Sequence, residues 1–157
     1  MRNIDHFIGG GALAAGERPT PTRTGDIFDP NSGSVQAKVG FGTAADLDKA
    51  VKIAVEAQHG WAATNPQRRA RVMFKYKELV EKNIEELALL LASEHGKVIA
   101  DARGDVQRGL DVIEFACGIP HALKGEYTQG AGPGIDVYSM RQPLGVVAGI
   151  TPFNFPA

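Results

Sequence analysis

The chain is short of several things, and each shortage removes a class of answer. It has one cysteine, Cys117, in 157 residues. No intramolecular disulfide framework can form, and a reducing compartment is the natural setting. Neither sign of charge is in excess: 17 Lys and Arg stand against 18 Asp and Glu, for a net charge of -1. That balance leaves no electrostatic footprint for nucleic acid or for an anionic membrane surface. No long hydrophobic run exists. The longest lies within "IEELALLLASE" and is far too short to cross a bilayer. The N-terminal "MRNIDHFIGGG" lacks the apolar stretch of a secretory signal. A cytoplasmic protein is therefore expected, and a mature mitochondrial matrix protein would read the same way. The four histidines, His6, His59, His95 and His121, never pair with Cys or a second His at ligand spacing, so no metal site is expected. No internal repeat is visible.

What is present looks globular. Hydrophobic residues make up 43% and charged residues 22%, the usual soluble mix, and the length suffices for one domain with a core. The first forty residues read as short strands and turns. "HFIGGGALAAGE" places two arms around a glycine cluster, which suits a hairpin. Asp29-Pro30-Asn31-Ser32-Gly33 is a turn between strands at Ile27-Phe28 and Val35 to Val39. The period then lengthens. Thr43 followed by Asp46 starts a helix with Leu47, Ala50, Val51, Ala54, Ala57 and Trp61 on one stripe. Asn65-Pro66 caps a second helix, with Val72, Met73, Tyr76, Leu79 and Val80 on its apolar side. Asn83 with Glu86 opens a third, which Gly96 ends. A fourth runs from about Ala100 to Cys117 with Val106, Leu110, Ile113 and Cys117 on one face, and Gly118 and Pro120 stop it. "TQGAGPG" reads as a flexible link. "IDVYSMRQ" reads as an exposed or paired strand. "GVVAGI", Gly145 to Ile150, is apolar on both faces, which suits a covered parallel strand.

Most signals for chemistry are weak. Cys117 sits on an apolar helix face and reads as a buried structural thiol rather than a nucleophile. "GAGPG", Gly130 to Gly134, has no buried strand before it, and Pro133 removes an amide donor, so a hinge is preferred to a phosphate loop. The basic residues of "QRRARVMFKYK" interleave with a helical stripe and read as a solvated face. "RGD", Arg103 to Asp105, lies inside a helix and reads as accident. The strong signal is "MRQPLGVVAGITPFNFP". A buried strand running into a polar turn is where open α/β sheets hold ligands. Pro152 and Pro156 stiffen that turn, Phe153 and Phe155 wall it, and Asn154 offers an uncharged amide suited to a developing oxyanion. The alternative is a tight turn whose Asn bonds its own backbone.

"RQPLGVVAGITPFNFP" resembles the Arg-x-Pro-x-Gly-Val…Pro-Trp/Phe-Asn-Phe-Pro segment of the NAD(P)-dependent aldehyde dehydrogenase superfamily. "DPNSGSVQAKV" is similar to that family's early strand pair, and residues 54–106 to its first helices with the Glu-x-Gly-Lys segment. Phe153, with "GEYTQGAGPGIDVYSMRQPLG" before it, resembles the CoA-acylating branch that oxidises methylmalonate and malonate semialdehydes. The resemblance implies an α/β fold in its N-terminal part only. Residues 1–124 would form strands and helices of the NAD-binding domain. Residues 125–143 would start a β arm used for homodimer or homotetramer assembly, and 144–157 would give the first Rossmann-like strand and active-site turn. It implies NAD contacts at Ile150, Thr151, Pro152 and Phe153, and oxyanion binding by Asn154. The implied reaction is attack of a cysteine thiolate on the aldehyde, hydride transfer to NAD+, and transfer of the acyl group from the thioester to coenzyme A with loss of CO2. Cys117 does not match the family nucleophile, which lies downstream. These residues alone are therefore expected to be inactive, and their apolar edge to be exposed. Two other outcomes stay open: a branch that releases free acid, and an inactive fragment that acts only by interaction.

Overall fold

The switch of hydrophobic period at Thr43 divides the chain. The computed structural model describes residues 1–12 and 23–157. Before Thr43 lie β1 (Arg2–Ile4), β2 (Phe7–Ile8), β3 (Gly11–Ala12), β4 (Thr24–Phe28) and β5 (Val35–Gly40). β2 and β3 form the expected hairpin around the glycine cluster. The end of its second arm, Leu13 to Glu17, lies outside the described residues. β4 and β5 pair antiparallel across the Asp29 turn as expected. Asp29 accepts the Asn31 amide at 2.8 Å, and that bond, with Ser32, holds its carboxyl below the ordinary aspartate range. β1 adds in parallel to the other side of β5, giving the order β1-β5-β4. Three residues are too few to show a period, which is why β1 is not legible in sequence.

Helices follow: α1 (Ala44–Ala63), α2 (Pro66–Lys82), α3 (Ile84–His95), α4 (Ile99–Cys117) and the short α5 (Ile119–Ala122). Thr43 and Asp46 form the capping box reciprocally, and the Asn65 side chain accepts from the Gln67 amide. The expected cap at Asn83 does not form. Its side-chain amide instead donates back to the Leu79 carbonyl at 2.7 Å, so it closes α2 rather than opening α3. α4 ends at Cys117 with Gly118 as its cap, as expected, and Pro120 sits in the first turn of the separate α5, where no amide is needed. The stripe on α1 buries no residue fully, and Leu47 is 65% exposed.

The core lies between α3 and α4. Ala88, Leu91, Ala92, Ala102 and Val106 are buried together, flanked by Val80, Ile84 and Ile99. Alanines at the contact let the helix axes approach closely. The Arg103 guanidinium forks onto Glu85 at 2.6 to 3.0 Å across the same pair of helices. The small sheet buttresses the far end of α3. Gln36 Nε2 donates to the Ser93 carbonyl at 3.1 Å, and Arg2 pairs with Glu94. Gly96 ends α3 in the left-handed region, with Pro30 of the β4–β5 turn packed over it.

β6 (Tyr127–Gly132) and β7 (Ile135–Tyr138) form an antiparallel hairpin. The expected flexible link is therefore mostly strand, with Gly134 at φ +68° in its turn. What sequence periodicity misses is a side-chain lock. Asp136 accepts from the Tyr127 hydroxyl and from the Gly130 amide, the latter at 2.8 Å.

Two expectations follow. Gly96→Ala places a Cβ 2.9 Å from Pro30 Cγ at a φ of +83°. It should lower stability by about 1–2 kcal/mol in urea unfolding. The two bonds hold Asp136 below the ordinary aspartate range, while Tyr127 is raised above the ordinary phenol value by the same contact. A depressed carboxylate contributes order above its unfolded value, near pH ~4, and loses it as pH falls through the lower folded value. The raised phenol contributes below pH ~10 and is lost as pH rises through its folded value. Hydrogen exchange at Gly130 should therefore quicken on both the acid and the alkaline limb, and Asp136→Asn should remove the acid limb.

Candidate functional site

The corner between α3 and α4 builds the candidate site. Gly96 turns the chain, Lys97 follows, Val98 is extended, and α4 starts at Ile99. Asp105 lies on the apolar stripe of α4 between Ala102 and Val106 and is 4% exposed. A carboxylate at that depth needs a cation or a full set of donors. Lys97 reaches back over α4 to supply it, with Nζ 2.5 Å from Asp105 Oδ2. A second ammonium N–H donates to the backbone carbonyl of Asn154 at 2.8 Å. The same ammonium lies 5.0 Å from the centroid of the Phe155 ring, and the Arg108 guanidinium lies 5.7 Å from that centroid. Beyond the ring, Pro156 and Ala157 enter an apolar cavity of about 470 Å³ lined by Tyr76, Val80, Leu91 and Val106.

The expected site residues divide into two sets. Asn154 and Phe155 are brought onto α4. The Asn154 carbonyl is engaged, but its side-chain amide makes no hydrogen bond among the described residues. The self-bonding turn considered for it is absent, and the amide is available to an outside acceptor. Ile150, Thr151, Pro152 and Phe153 are exposed and are not gathered against any other element. Phe153 is 87% exposed.

The strand expected at Gly145 to Ile150 does not form; those residues carry no strand pairing and are exposed. A strand exists through its neighbours' hydrogen bonds, and no other described strand lies beside it. Cys117 is buried at the C-terminal end of α4, about 18 Å along the helix axis from Asp105. The Asn154 turn is held beside Asp105, and Cys117 is not among the residues that contact it. Among the described residues no acid, His or Cys cluster could hold a metal ion, and no helix is long and apolar enough to cross a membrane.

Lys97 stands in the Glu-x-Gly-Lys segment and Asp105 in the "RGD" read as accident, but neither of them, nor Arg108, was given a role by its sequence. The usable signal was a carboxylate in an apolar stripe. Asp105 follows Ala102 by three residues and precedes Gly109 by four, which puts it on the small-residue side of α4 next to Val106.

Residues 18–157 match the model of the aldehyde dehydrogenase family. The chain is 42% identical over its whole length to a malonate-semialdehyde dehydrogenase of Pseudomonas aeruginosa, covering 31% of that protein. It is 44% identical over 132 residues to an acylating, mitochondrial methylmalonate-semialdehyde dehydrogenase of Arabidopsis thaliana, covering 84% of this chain and 22% of that one. Among solved structures, a Sinorhizobium meliloti protein provisionally named a methylmalonate-semialdehyde dehydrogenase, and crystallised with NAD, superimposes with a TM-score of 0.92. It is 55% identical, over 99% of this chain and 31% of that one. The methylmalonate-semialdehyde dehydrogenase of Oceanimonas doudoroffii gives the same TM-score of 0.92 at 43% identity, with coverage of 99% and 31%. The chain thus spans about 31% of the length of such relatives. With its α/β architecture matching the N-terminal part of their fold, it belongs to the aldehyde dehydrogenase family.

Proposed function

We propose that this chain supplies the oxyanion-binding turn of an NAD-dependent, CoA-acylating oxidation of methylmalonate or malonate semialdehyde. The products are propionyl-CoA or acetyl-CoA and CO2. The observation that carries the reading is the free Asn154 side-chain amide, on a turn whose own carbonyl is tied to Lys97. A neutral donor fixed in advance stabilises the alkoxide formed when a thiolate adds to an aldehyde, without forming a permanent ion pair with substrate. The relatives named for malonate and methylmalonate semialdehydes support the substrate class, and the acylating relative supports coenzyme A as acceptor.

Residues 150–153 are the contacts we propose for the nicotinamide side of NAD+. Their backbone groups are uncommitted among the described residues, and Phe153 presents an open apolar face. Bound there, NAD+ would supply the hydride acceptor. The chain's own residues would do the rest: Thr151 and Pro152 hold backbone direction, Phe153 shields the ring from water, and Asn154 holds the substrate oxygen. Arg108, at the same turn, gives a positive charge near a substrate that carries a carboxylate. Cys117 is buried away from the turn, so the attacking thiol would have to come from outside these residues. The stretch by itself then turns over no aldehyde. The exposed β6–β7 hairpin serves assembly of a homodimer or homotetramer through its free edge.

In the full-length enzyme, Asn154→Ala should lower kcat by about 10²–10³ with the KM for NAD little changed. Product trapping should find the CoA thioester when CoA is present; free acid formed regardless of CoA would overturn the acylating reading. Arg108→Met should raise KM for malonate semialdehyde several-fold more than for an uncharged aldehyde of similar size. Equal changes for both would remove Arg108 from substrate recognition.

A further inference from the structure

We infer that Lys97 and Asp105 form a positioning pair that clamps the Asn154 turn to α4 and thereby aims the Asn154 side chain. The inference rests on the reading of Asn154 as the oxyanion donor. Asp105 is the buried charged residue of the described core, and the Lys97 side chain is 18% exposed. A buried ion pair adds little net stability over an apolar pair of the same volume. Stability alone therefore does not account for placing one in an alanine-rich contact. Geometry does. The ammonium has three N–H groups in fixed tetrahedral directions. The 2.5 Å bond to Asp105 Oδ2 fixes one of them, and another then points at the Asn154 carbonyl at 2.8 Å.

Holding that carbonyl fixes the peptide plane after Asn154, and with it the Cα from which the amide projects. Among the described residues no backbone–backbone hydrogen bond holds 150–157. Among the described residues the Lys97 contact is the polar anchor of the turn. The Phe155 ring, 5.0 Å from Nζ, shields the anchor on one side. Lys97 is itself placed by the left-handed Gly96, which the β4–β5 turn holds through Pro30. The clamp runs from sheet to corner to turn. Lys97 and Asp105 act through Asn154 and do not touch substrate.

The test uses Lys97→Met, Asp105→Leu and the double variant in the full-length protein. It reads thermal stability, hydrogen exchange of peptides covering 150–157, and steady-state kinetics. Lys97→Met alone strands a buried carboxylate, so a loss of stability is expected whatever its role. The double variant removes both charges and should recover stability. We expect it still to show faster exchange at 150–157 and a kcat lower by about 10²-fold, the effect of a misplaced reacting group. In an Asn154→Ala background, Lys97→Met should cost less than about threefold further, because its effect runs through Asn154. A double variant that regains both stability and kcat, or unchanged exchange at 150–157, would overturn the clamp. If the wild-type protein oxidises no aldehyde, the proposed function fails, and the exchange measurement still decides whether the pair holds the turn.

Discussion

A carboxylate buried in an alanine-rich helix contact must find a cation, and the local geometry follows from that need. Asp105 is 4% exposed on α4. The segment that answers it is the corner after α3, where Lys97 stands. For Lys97 to reach, α3 must end where it does, and Gly96 ends it with a φ that other residues adopt only at a cost. The ammonium that satisfies Asp105 has donors left over, and one is used by the backbone of the Phe-Asn-Phe turn. Core packing, helix termination and the placement of the turn that carries Asn154, the proposed oxyanion donor, thus share one contact.

Much of this fold was legible in the sequence because its signals are local. The Thr43 capping box, the Asn65-Pro66 start and the Gly96 stop each depend on residues within one turn, and each appears where its chemistry put it. The β4–β5 pair was legible for the same reason, since Asp29 to Gly33 is a turn whatever surrounds it. Apart from Asn83, whose partner is one turn away, the misreadings involve partners further off in the chain or absent from the described residues. β1 is strand only because β5 lies beside it. Asn83 had two acceptors or donors within reach, and the Leu79 carbonyl won over the α3 amides. The glycine-rich "TQGAGPG" looked like a link because its order comes from Tyr127 and Asp136 side chains meeting across the hairpin. "GVVAGI" carries the composition of a covered strand without a described neighbour to pair it.

The site was half legible. The aromatic and proline frame around Asn154 marked the turn, and the likeness to aldehyde dehydrogenases named its chemistry. The support beneath it was not seen, because "ARGDV" looks like any solvated helix until the register puts Asp105 on the core side. Motif reading finds residues that meet a ligand. Residues that hold those residues must be found by asking which buried charges need partners.

The most direct measurement is a crystal structure of the full-length enzyme trapped with an aldehyde adduct on its nucleophilic thiol. The account predicts Asn154 Nδ2 within about 2.7–3.1 Å of the substrate oxygen, with Lys97 Nζ still on the Asn154 carbonyl and Asp105. An Asn154 amide turned back onto its own turn, with another donor on the substrate oxygen, would contradict it.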